Sequence, residues 1–201
     1  MIYADLHVHT KYSADASIPP KTIVDRLHAH SLIKAVAITD HNTVEGYYKV
    51  RELASAYEDI IIIPGVEISA AGGDIIVLGV TELPHEPWTV KNILAFAKER
   101  QAIAIVAHPY RAYGLGDSAK KYTFDAVEVL NGSSASNANK LAQNLAKEMN
   151  LPGIAGSDAH QIDELWSAYT EIQASSNIDE ILKAIKKGFV RVTSAGKSIH
   201  F

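Results

Sequence analysis

The chain has no cysteine among its 201 residues, which excludes disulfides and thiolate metal sites and leaves His, Asp and Glu as the side chains able to hold a metal. No apolar run is long enough to span a bilayer, so no membrane partner is expected. The N-terminus lacks a basic region followed by an apolar stretch and a small-residue cleavage site, so no secretory signal is expected and the location reads as cytoplasmic. The sequon Asn131-Gly132-Ser133 is then a chance match. A positive excess is missing as well: 19 Lys and Arg stand against 23 Asp and Glu. Bulk charge therefore attracts neither nucleic acid nor an acidic membrane surface, and an anionic substrate has to be held by local groups. A Gly-rich nucleotide fingerprint is absent too, since Gly114-Leu115-Gly116 is too short and opens no helix after a strand.

What is present suits one α/β domain over 1–201, with 47% apolar residues to build a core. Apolar runs at 2–6, 35–39, 60–66, 75–80, 103–107, 126–130, 153–156, 168–173 and 190–193 alternate with helically spaced stretches at 20–31, 43–57, 89–100, 135–149 and 178–187. Near-continuous runs such as Ile60-Ile61-Ile62-Ile63 fit strands buried on both faces by outer helices. Gly72-Gly73 reads as a turn between two strands, and 112–122 as the loop with most freedom to move.

Six of the runs end in metal-grade side chains: His7 and His9, Asp40-His41, Glu67, His108, Glu128, and Asp158 with His160. In a parallel sheet or barrel the strand C-termini share one edge, so these residues converge, and the pattern points to a multinuclear metal site on a barrel-like α/β fold. His7 and His9 lie two apart on a strand and so share a face, about 6 to 7 Å apart along the backbone, which suits a clamp on one ion; two hydrogen-bonded barrel histidines are the plainer reading. Asp5 shares that face and can hydrogen-bond a liganding imidazole. Asp15 is either a ligand or a turn residue, with Ser17 a candidate cap for the next helix, as Asn42 and Thr43 are for the one after. Glu67 lies in an apolar setting where an unpaired carboxylate is costly. His108 precedes Pro109, which favours extended geometry. Glu128 and Asn131 read as supporting residues or as surface. His28, His30, His85 and His200 read as structural.

The ordered set Asp5-Leu6-His7-Val8-His9, Thr39-Asp40-His41, Gly65-Val66-Glu67, Ala107-His108-Pro109 and Ser157-Asp158-Ala159-His160 resembles the PHP superfamily, the polymerase and histidinol phosphatase metallo-domains. The resemblance covers residue 1 to at least 160 and implies a distorted seven-stranded β/α barrel related to the TIM barrel, here as a minimal stand-alone member. It implies two or three divalent ions, Zn, Mn or Fe. One would be held by His7, His9, Glu67 and Asp158, another by Asp15, His41 and His160, and a third by Glu67 and His108. Relatives often add a histidine from the next strand; this chain has none there, and Asp74 is the available oxygen donor.

Ions a few ångströms apart can activate a bridging water as hydroxide and clamp substrate oxygens, which is the chemistry of phosphoester hydrolysis. The expected activity is hydrolysis of a small anionic phosphate ester, a phosphomonoester or a nucleotide, with oligonucleotides in the same class. Arg111 is the expected phosphate ligand, its guanidinium matching two phosphate oxygens, and Asp40 and His108 are the candidate acids. The alternatives are an amidohydrolase-type C–N hydrolase and a non-catalytic, metal-stabilised binding module.

Overall fold

The computed structural model describes residues 1–194 and 197–199, the last three as backbone only; His200 lies outside them. Ten strands join in one sheet. Strands β1 (Ile2–Val8), β2 (Ala35–Ile38) and β3 (Ile61–Ala70) are followed by β4 (Gly73–Leu78), β5 (Ile103–Val106), β6 (Ala126–Asn131) and β7 (Gly153–Gly156). The helices α1 (Pro20–Ala29), α2 (Glu45–Ala54), α3 (Val90–Glu99) and α4 (Ser136–Met149) connect them on the outside. Then come β8 (Ala168–Ile172), α5 (Ile178–Lys186), β9 (Val190–Ser194) and β10 (Lys197–Ile199). Every residue of β2, β5 and β7 is buried, as expected of strands covered by helices on one side and facing a packed barrel interior on the other.

The first seven strands curl until β7 returns to β1. Asp158 N donates to His7 O at 2.7 Å and His9 N to Ala159 O at 3.1 Å. Gly156 permits this approach: a Cβ there would stand 2.6 Å from the His7 backbone nitrogen and collide with the His7 Cβ. The resemblance implies seven barrel strands, and β8 and β9, at the expected runs 168–173 and 190–193, lie with β10 beyond those seven. They form an antiparallel flap that pairs with the start of β1, Ile2 opposite Ile172. Thr170 Oγ1 ties the flap to β7 by contacts of 2.8 and 2.9 Å with Ala155 N and O. No apolar periodicity marks Lys197–Ile199, so β10 was not expected.

The sheet is also not uniformly parallel. β3 runs parallel to β2 as far as Pro64, then pairs antiparallel with β4, which is antiparallel to β5 as well. Gly72 and Gly73 make the reversal. Glu67 is therefore mid-strand, not past a strand end, and the start of β4 lies at the edge where its antiparallel neighbours β3 and β5 finish. The segment 112–122 contains a 3-10 turn at Gly116–Lys121 and seats Leu115 and Ala119 in the core. The cap expectations also change: α1 and α2 have no side-chain cap, Ser17 Oγ donates to Gln161, and Asn42 Oδ1 accepts from Ser69 N. No helix among the described residues is long and apolar enough to cross a membrane.

Candidate metal centre

At the edge where β1, β2, β5, β6 and β7 finish, three groups of donor side chains meet. His7, His9, Glu67 and Asp158 form the deepest, with His9, His41 and His160 beside it and Glu67, Asp74 and His108 on the other flank. Glu67 is shared between the first and third groups, His9 between the first and second. In the deepest group the contacts of His7 Nε2 are 3.1 Å to His9 Nε2, 3.1 Å to Glu67 Oε2 and 3.3 Å to Asp158 Oδ1. His9 Nε2 lies 3.2 Å from each carboxylate oxygen. A tetrahedron of donors about 2.0 Å from a central ion has edges of about 3.3 Å, so the five contacts made by the two Nε2 atoms have the spacing of a site for a small divalent cation.

The surrounding hydrogen bonds aim the imidazoles. Ser13 Oγ donates its one proton to Asp40 Oδ1 at 2.8 Å, so it accepts from His9 Nδ1 at 3.1 Å and from His41 N at 2.9 Å. His7 Nδ1 donates to Glu128 Oε1 at 2.9 Å, and His160 Nδ1 to the Asp158 carbonyl at 3.0 Å. With Nδ1 committed as donor, Nε2 of each ring carries the lone pair when neutral, and in His7 and His9 it faces the carboxylates. Nδ1 of His41 and of His108 is buried without a hydrogen-bond partner. Buried polar atoms are rarely left so, and they add to the case that this donor set fits cations.

The remaining expected residues fall into place around this core. Asp15 sits at the rim, its Oδ2 3.4 Å from His160 Nε2 and 3.6 Å from His41 Nε2. Asp40 lies behind His9, fully buried, and its oxygens accept from Thr10 N, Thr10 Oγ1 and Ser13 Oγ. Asp5 accepts from the backbone nitrogens of His7, Ser157 and Trp166, not from an imidazole. Glu128 makes the ring contact expected of Asp5, and it also accepts from His108 N and Asn131 Nδ2. Asn131, 1% exposed, donates to Asp158 as well, so the asparagine of the sequon is buried. Arg111 Nη1 pairs with Asp158 Oδ2. His108 is not extended: its φ is 21°, and that of Asp158 is 54°. Unusual backbone at two residues of the cluster is the kind of strain that functional sites retain. His28 pairs with Asp59, and His30 accepts from Leu32 N and Ile33 N, so both are structural.

Burial works on the charges of Glu67, Asp158, His7, His9 and Asp74. It pushes the Glu67 and Asp158 carboxyls upward, but the facing histidines outweigh it and hold both well below the carboxylate range. Burial likewise depresses His7 and His9. The carboxylates Asp158, Glu128 and Glu67 overcome it at His7, and hydrogen bonds to Asp158 and Glu67 bring His9 up to about 9. Burial, with the negative Glu67 second, raises Asp74 to about 6. In the metal-free protein, protons on imidazole thus offset the carboxylates, and a cation has to displace them. Metal loading at pH 7.5 should release protons, and the share that comes from His9 should fall away above about pH 9, where His9 is already neutral. Calorimetry in buffers of different ionisation enthalpy reads this, and loading at pH 7.5 without proton release would contradict it.

Comparison with known proteins decides the family. Residues 136–190 match a PHP-associated family profile. Over 140 residues the chain is 34% identical to the uncharacterized protein MJ1587 of Methanocaldococcus jannaschii, covering 64% of this chain and 81% of that one. The chain belongs to the PHP superfamily. Solved structures agree on the fold of this PHP protein. A Bifidobacterium adolescentis protein assigned as a metal-dependent phosphoesterase superposes with a TM-score of 0.64 at 16% identity, over 78% of this chain and 87% of the other. An amidohydrolase from Chromobacterium violaceum with bound sulfate gives 0.65 at 17%, over 79% and 87%. PsfC from Pseudomonas syringae gives 0.67 at 18%, over 100% and 91%. The His, Asp and Glu clusters of this PHP protein fit divalent metal binding.

Proposed function

We propose that this PHP protein is a metal-dependent phosphoesterase that hydrolyses a small phosphate ester, a phosphomonoester or a nucleotide. The observation that carries the reading is that Glu67 belongs to two of the three adjoining donor groups, Oε2 facing His7 and His9 and Oε1 facing His108, because a shared carboxylate is what brings ions close enough to act together. His7, His9, Glu67 and Asp158 hold one ion, His41, His160 and Asp15 a second, and Glu67, His108 and Asp74 a third. Bound divalent ions supply an activated water and offset the charge that builds on phosphate oxygens. Glu128 and the Asp40–Ser13 pair fix the rings of His7 and His9, so Asp40 acts as a positioning residue. Arg111 stands on the loop after His108, partly exposed, and orients the phosphate with its remaining guanidinium edge. The sulfate in the Chromobacterium violaceum protein is a tetrahedral dianion like phosphate and supports an anionic substrate.

That same neighbour is named an amidohydrolase, so C–N hydrolysis is the second reading. A panel of phosphomonoesters, nucleotides, phosphodiesters and cyclic amides, run on protein of measured metal content, separates the two. Turnover of amides alone would reverse the assignment. Arg111→Lys keeps the charge and loses the fork, so kcat/KM on phosphomonoesters should fall roughly tenfold, with metal content unchanged and amide turnover unaffected. Wild-type kinetics in this variant would remove Arg111 from substrate binding.

Asp74→Ala should lose the third ion and keep the others, because Asp74 belongs only to the group with Glu67 and His108. Metal analysis reads the stoichiometry, and an unchanged metal count would exclude Asp74 as a ligand.

A further inference from the structure

Beside the metal centre lies a cleft of ≈ 600 Å³ whose lining includes Asp15, His41 and Asp74 together with Ala70, Gly72 and Tyr113. It falls in the size range of small-ligand sites, and its walls carry few bulky side chains. Tyr113 stands out in it. The residue is 82% exposed, and its backbone has a φ of 64°, a conformation that a bulky residue seldom adopts.

The backbone beneath that exposed ring is held firmly. Asp74 N donates to Tyr113 O at 2.7 Å, Gly114 N to Arg111 O at 3.1 Å, and Gly116 N to Pro109 O at 2.7 Å. Gly73 lies so close that a Cβ would stand 2.7 Å from Leu115 N and 2.9 Å from Tyr113 O. One short loop therefore carries His108 against Glu67, Arg111 against Asp158, and Tyr113 into the neighbouring cleft. An exposed aromatic ring on a fixed, strained backbone next to reactive groups has no packing role to explain it.

We infer that Tyr113 is a specificity-determining residue, which stacks on a planar heteroaromatic group of the substrate while the ester phosphate sits at the metal centre. The inference deepens the phosphoesterase reading and rests on it for the position of the phosphate. A flat ring suits this cleft because Ala70 and Gly72 leave room beside the tyrosine, and because stacking needs no polar partner on the ring. Substrates without such a ring would use the metal centre and leave the cleft to water.

The test compares adenosine 5′-monophosphate with ribose 5-phosphate, which differ by the base. Tyr113→Asn removes the ring while tolerating the left-handed backbone, and Tyr113→Phe restores the ring without the hydroxyl. With metal-loaded protein, Tyr113→Asn should lower kcat/KM on the nucleotide about tenfold, mainly through KM, and change it less than twofold on ribose 5-phosphate. Tyr113→Phe should match wild type on both. Equal losses on the two substrates, or none on the nucleotide, would overturn the inference. Calorimetric affinities for the same pair keep the two readings apart. If wild type hydrolyses neither ester, the phosphoesterase reading fails, and Tyr113 is then decided by whether Tyr113→Asn weakens nucleotide binding alone; equal affinities in wild type and Tyr113→Asn reject it.

Discussion

Replacing His9 with alanine should abolish hydrolysis, by about a thousandfold or more, since changes merely behind a metal ligand already cost 10–100-fold. His9 offers one lone pair, at Nε2, to the deepest group, so bound metal should fall by about one equivalent. Glu67→Gln removes the carboxylate that two groups share and should cost more than one. Asp158→Ala removes a donor from the deepest group alone and should cost less metal than Glu67→Gln. Each side chain gathers at the barrel edge instead of filling the apolar core, so far-ultraviolet circular dichroism should show a folded protein. Activity and metal content measured together decide the matter, and full metal occupancy in His9→Ala would remove that residue from the ligand set.

The second large effect concerns the barrel seam. Gly156→Ala places a methyl group against the backbone and Cβ of His7, where both strands are held by the bonds that close the barrel. The clash is with main chain, which cannot rotate away, so the variant should lose about 3 kcal/mol of stability and should also bind metal more weakly, because His7 is displaced. Urea unfolding in chelator isolates the first effect from the second. A loss below about 1 kcal/mol would mean that β7 and β1 meet less closely than the structure shows.

Much of the fold was legible in the sequence because its strands are buried on both faces and its helices on one, so each leaves its own period. The first nine strands and five helices fall within a few residues of the expected ranges. Strand direction was not legible. A Val/Ile run has the same composition whether it runs parallel or antiparallel, and only the short Gly72-Gly73 link hinted that β4 turns back. That reversal is what carries Asp74 to the site, a position otherwise reached only as an available oxygen donor. Likewise the donor pattern exposed His7, His9, Glu67 and Asp158, which the structure gathers, while the division of labour behind them was hidden. Glu128 and Asp5 are both buried carboxylates near strand β1. Which of them reaches the His7 ring depends on how β6 is seated across the barrel, a long-range contact with no local signature. Ser13, a loop serine with no motif to mark it, emerged as the link between Asp40 and His9 only from its hydrogen bonds.

The central claim is that one ion lies among His7 Nε2, His9 Nε2, Glu67 Oε2 and Asp158 Oδ1. Anomalous diffraction at the metal edge, from crystals of the metal-loaded protein, tests it most directly. The account predicts a peak at roughly 2.0–2.2 Å from all four atoms, with further peaks beside His41 and His160 and beside Asp74 and His108. No peak among the four atoms in protein that is loaded and active would contradict it.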